Sequence, residues 1–120
     1  MGENRRDQTQ TIGLSAARVA TAAIQQAARH ERALRACLSE LEGHNVAPSD
    51  DLVLAVRKRA LRHAGRAVGL VRTAIRLNPD PLAEATFAAL LEHHERNGLL
   101  VERWTPSYPF DAFGNLPLAS

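Results

Sequence analysis

From Leu52 to Asn78 the chain carries no acidic residue and no proline, and its small apolar residues recur at helical spacing. With about 100° of rotation per residue, Val53, Val56, Ala60, Ala64, Ala67, Val71, Ala74 and Ile75 gather on one side of a single long helix. That side must be buried, and its alanines demand a close neighbour. Arg59, Arg62, Arg66 and Arg76 lie on the opposite side, with Arg57, Lys58 and Arg72 at its edges. Gly65 and Gly69 fall among these arginines, not among the apolar residues. A mid-helix glycine costs roughly 0.5–1 kcal/mol relative to alanine. Two on an outward face are either the occasional glycines of a long helix or the place where a phosphate backbone or another helix comes close to the main chain.

The neighbouring segments supply the partners. Residues 1–11 are polar and aperiodic, and are expected to form a flexible arm. From Ile12, Ala16, Ala20, Ala23, Ala27, Leu34, Leu38 and Leu41 recur at three- and four-residue steps, with Arg18, Gln25, Arg29 and Arg32 opposite, which predicts an amphipathic helix ended by Gly43. Ser49 or Asp50 then caps the central helix, and so short a connection makes the two helices antiparallel. Pro79 and Pro81 break the chain, with Asp80 as cap and Pro81 opening a third helix. Leu82, Ala83, Phe87, Leu90, Leu91 and His94 mark its buried side, and Asn97-Gly98 is expected to end it. The fold class predicted is all-α, a three-helix antiparallel bundle dominated by a long helical hairpin over residues 12–103. Residues 104–120 form an irregular tail rich in proline and aromatics, with Trp104, Tyr108, Phe110 and Phe113 available to fold back or to anchor a partner.

Charge is distributed unevenly. The segment 52–79 holds seven basic residues and no acid, against six basic and seven acidic residues in 1–51 and two and six in 80–120. Such a basic centre fits either an internal electrostatic match or an anionic partner. Cys37 stands alone, which excludes an intramolecular disulfide and points to a reducing compartment. No apolar run approaches the roughly 20 residues of a membrane span, and the N-terminus has no apolar core of a signal peptide. A cytoplasmic protein is expected, and the strong preference for arginine over lysine points to a GC-rich bacterial source.

Catalytic signatures are missing: there is no glycine-rich phosphate loop, no Gly-x-Ser-x-Gly and no Cys-x-x-Cys. Neither an enzyme nor a cofactor is expected. Hinges near residues 46 and 79 would bring His30, His63 and His94 to nearly one height, where zinc or iron could bind with Glu31 or Glu95 nearby. The simpler reading is three boundary histidines, so no metal is assigned. His93 and His94 are adjacent and diverge by about 100° on a helix. The basic face is the stronger signal. Arg59, Arg62, Arg66, Arg72 and Arg76, with Gly65 and Gly69 between them, suit a nucleic-acid phosphate backbone contacted without base readout. The expected function is a non-catalytic helical subunit of a larger ribonucleoprotein or protein assembly, the alternative being a regulatory module that binds an acidic protein through this face or the aromatic tail. In size, class and charge the chain is similar to the small helical subunits that line nucleic acid in CRISPR ribonucleoprotein complexes, although it shares no motif with them.

Overall fold

The computed structural model describes residues 2–43 and 46–107, with side chains in the first helix from Ser15 onward. Three α-helices and no strand occur among these residues: α1 (Gly2–Ser39), α2 (Asp50–Leu77) and α3 (Glu84–Arg103), the last entered through a 3₁₀ turn at Pro81–Ala83. Both α1 and α3 pack on α2, as the all-α hairpin bundle requires. No helix among the described residues is long and apolar enough to cross a membrane.

Local chemistry sets the boundaries. Ser49 sits in extended backbone and its Oγ accepts from the Leu52 N–H at 3.2 Å, while Asp50 and Asp51 place negative charge on the first turn of α2. Asn78 closes the other end and Pro79 forbids continuation. The Asp80 side chain then accepts from the Leu82 N–H at 2.9 Å, with Pro81 at the first position, which restarts the chain as the sequence predicts. Gly43 takes φ 73°, a left-handed conformation suited to glycine, and ends the turn after α1.

The hairpin closes on an alanine seam. Ala20 and Ala23 meet Ala74 at one end. Ala27 meets Ala67 and Val71 midway, and Leu34, Cys37 and Leu41 meet Val56 and Ala60 toward the turn. Methyl groups facing methyl groups let the helix axes approach the short end of the roughly 8–10 Å range. Larger side chains of α3 cover the seam, with Phe87, Leu90 and Leu91 over its far half and Val101 over the near half. Cys37 is free and buried.

Four local expectations are corrected. Helix α1 starts at Gly2 and not Ile12, so the segment read as an arm continues the helix. Extending a helix already fixed by packing costs little per residue, and Glu3, Arg5, Arg6 and Gln8 are good helix formers. Helix α3 runs through Asn97 and Gly98 to Arg103, because Asn97 and Val101 are both buried one turn apart and only a continuous helix achieves that. Leu82, expected inside, is 89% exposed because the 3₁₀ turn precedes the docked part of α3, and Ile75 is 38% exposed at the margin of the α2 seam.

Gly98 is the point where α3 passes α2. A Cβ there would lie 3.8 Å from the Ala64 Cβ, an ordinary van der Waals contact. Gly98→Ala is therefore expected to fit and to stabilise the fold by about 0.5–1 kcal/mol through helix propensity alone. An unchanged or lower urea midpoint would mean that the helices need the gap.

Candidate nucleic-acid interface

The basic residues of α2 divide into an engaged set and a free set. Arg59 pairs with Glu40 of α1 at 3.0 Å, and Arg72 with Glu95 of α3 at 3.2 Å. Arg57 is half-buried and its Nη2 donates to the Trp104 carbonyl at 2.6 Å, so it fastens the end of α3 and does not belong to the surface. Arg76 donates to Thr73 Oγ1 at 3.2 Å. Lys58, Arg62 and Arg66 are exposed and make no ion pair or hydrogen bond with described residues. Glu92 pairs with Arg96 of its own helix at 3.5 Å.

These links are modest. Both interhelical pairs are about half exposed, and such pairs contribute roughly 0–1 kcal/mol. A denser anion can displace the carboxylates and recruit Arg59 and Arg72 to the free set. From Lys58 to Arg76 the stripe then extends about 27 Å at 1.5 Å per residue.

Gly65 and Gly69 sit in this stripe, both exposed. A Cβ at either position would meet nothing within 4 Å, so internal packing does not demand glycine. Next to Gly69 lies a shallow recess walled by Arg72, Ile75, Arg76 and Leu91.

The expected histidine layer forms in part. His30 and His63 meet across the hairpin with their Nδ1 atoms 2.9 Å apart. One of these nitrogens must donate and the other accept, so the contact cannot survive with both rings charged. Burial lowers the His63 pKa, and His30, Arg66, Arg62 and Arg59 lower it further. His94, also lowered, first by burial, lies instead against Glu31 of α1. Burial acts to raise Glu31, but hydrogen bonds from Arg35 and His93 outweigh it and hold the carboxyl below its ordinary value.

The signs agree. An unfolded chain takes up protons on His63 and His94 near their ordinary value of 6.5, whereas the folded chain resists until lower pH. Stability is thus at its full value above that point and falls as pH drops below it, with the Glu31 contribution lost in turn below 4.5. The urea midpoint is expected to be lower at pH 5.5 than at pH 7.5, and His63→Gln should flatten part of that slope. A flat profile would contradict the depressed histidines.

The tail is partly tied down. Trp104 packs against the near-turn cluster, and its Nε1 donates to Glu42 Oε1 at 3.2 Å. Ser107 hydrogen-bonds Glu42 through both its Oγ and its N–H, and its carbonyl accepts from the Gly43 N–H at 3.0 Å. Residues 104–107 therefore fold back on the hairpin turn, while Tyr108, Phe110 and Phe113 lie outside the described residues. Sequence reasoning named every cation of the face but not the role of Arg57. It noted the acidic excess in the C-terminal segment, which contains Glu95, but gave Glu40 no role. Compared with protein-family models, with curated proteins and with solved structures, the chain matches none.

Proposed function

We propose that the chain is a non-catalytic helical subunit that holds a nucleic-acid phosphate backbone against α2, as one component of a larger assembly. The observation that supports this reading most is the set of exposed cations Lys58, Arg62 and Arg66, unpaired among the described residues, beside two glycines that the fold itself does not require. Arginine's planar fork suits bidentate contact with phosphate oxygens. The missing side chains at Gly65 and Gly69 leave room for a strand to come close. Nothing on this face is aromatic, so base stacking has no platform and binding is expected to tolerate any sequence. Exposed Leu99 and Leu100 on α3 suit contact with another subunit.

The test is binding of the purified chain to generic single- and double-stranded DNA and RNA across a salt series. The logarithm of the affinity is expected to fall linearly with the logarithm of salt, with a slope of about 0.9 per phosphate neutralised on duplex DNA. Absence of binding at low salt would defeat the nucleic-acid reading and transfer the face to an acidic protein partner.

A further inference from the structure

We propose that Glu31, His93 and His94 form a binding site for one divalent transition ion of the zinc class, joining α1 to α3. The site is separate from the arginine face, on the side of the hairpin covered by α3. Glu31 Oε1 lies 2.9 Å from His93 Nε2 and 3.9 Å from His94 Nδ1, and the three donor atoms fall within 4.8 Å of one another. Around zinc, with bonds of about 2.0–2.1 Å, tetrahedral donors stand roughly 3.3–3.4 Å apart. The observed separations bracket that value, so side-chain adjustments suffice.

The second observation is the state of His94. Its side chain is 5% exposed, and neither ring nitrogen makes a hydrogen bond with a described residue. Its Nδ1 lies 3.9 Å from Glu31 Oε1, too long for a hydrogen bond. Metal–ligand bonds of about 2.0–2.1 Å on either side would span that 3.9 Å separation. An ion there would give the His94 nitrogen a direct partner and share the Glu31 Oε1 that now meets His93.

The surroundings fit ligation. Arg35 holds the other carboxylate oxygen, Oε2, at 2.9 Å through Nη2, which orients Oε1 toward the histidines as supporting residues do at metal sites. Burial keeps His94 a neutral base, and Glu31 stays ionised. Asn97 lies one turn beyond His93, with its amide 3.4 Å from Nε2. His93 is 43% exposed and gives the ion an entry path. Two imidazoles and one carboxylate favour zinc, iron(II), cobalt or nickel over calcium and magnesium, and three protein ligands leave a position open. The His30 and His63 pair lacks this character, because Arg59, Arg62 and Arg66 place positive charge around it.

The experiment uses the full, untagged chain after chelator treatment. Zinc binding is measured by calorimetry and cobalt(II) by its visible absorption, with calcium and magnesium as comparators. One zinc or cobalt ion per chain is expected, with affinity falling at least about tenfold in Glu31→Gln and His93→Gln. Both substitutions preserve side-chain bulk, and helical circular dichroism verifies the fold of each. Binding in a His30→Gln/His63→Gln variant is expected to match the parent. The proposal is overturned if no stoichiometric binding occurs, if Glu31→Gln and His93→Gln bind as well as the parent, if the His30/His63 variant loses binding, or if calcium or magnesium binds equally well.

Discussion

A variant carrying Arg62→Glu and Arg66→Glu is expected to bind polynucleotide at least about 100-fold more weakly than the parent at low salt. Each arginine-phosphate contact is worth about 1.5–3 kcal/mol, and 1.4 kcal/mol is tenfold in affinity. Two lost contacts therefore reach two orders of magnitude before the repulsion of two carboxylates is added. The slope against salt should also fall by roughly one for each cation removed. Both residues are exposed and make no ion pair or hydrogen bond with a described residue, so thermal unfolding should be close to the parent's. Equal affinities in the two forms would remove the face from the binding account. The double change Gly65→Ala/Gly69→Ala complements it. Each alanine should stabilise the folded helix by about 0.5–1 kcal/mol, since the added methyl meets open space. If a backbone comes close between the arginines, affinity falls while stability rises. A stabilised protein of unchanged affinity would leave the arginines in place but exclude close approach.

The largest effect on stability is expected from Ala67→Leu. Ala67 is 1% exposed and faces Ala27, itself 0% exposed, in the middle of the seam. Three extra carbons have no space between helices held this close. The helices must separate or the leucine must leave its preferred rotamers, at a cost of about 1–3 kcal/mol and occasionally more. Against a total of about 5–15 kcal/mol for a domain, that is a large share. Ala36→Leu, on the exposed side of α1, is the matching control and should change stability by less than about 0.5 kcal/mol. Comparable urea midpoints for the two variants would show that the seam is loose.

Much of this architecture is legible in the residues, and the parts that are not have a common cause. Alanine and leucine spacing gives both helices of the hairpin, and Asp80-Pro81 gives the third start. Those signals are local. Counting from the two turns also brings His30 to His63, because height along a hairpin follows from residue number alone. It misplaces His94, which turns to Glu31, because direction around a helix axis depends on how α3 crosses the pair. The Glu31–His93 contact is hidden for the same reason, and so is the capture of the Trp104 carbonyl by Arg57. Asn97-Gly98 misleads because a local stop signal is weaker than the burial of Val101 beyond it. The basic face itself was legible, yet its division into paired and free arginines was not, since the carboxylates come from other helices.

The alanine seam has one further consequence, which concerns alignment. If α1 slid along α2 by one turn, about 5.4 Å, alanine would still meet alanine or valine over much of the interface. Burial alone barely separates the shifted pairing from the native one. The polar contacts do separate them: a one-turn slide pulls His30 from His63 and Glu40 from Arg59. Contacts of small energetic weight thus act as index marks on a smooth rail, selecting one axial position among several of similar apolar burial. Losing them would leave a chain that is still helical and compact, but divided among neighbouring alignments.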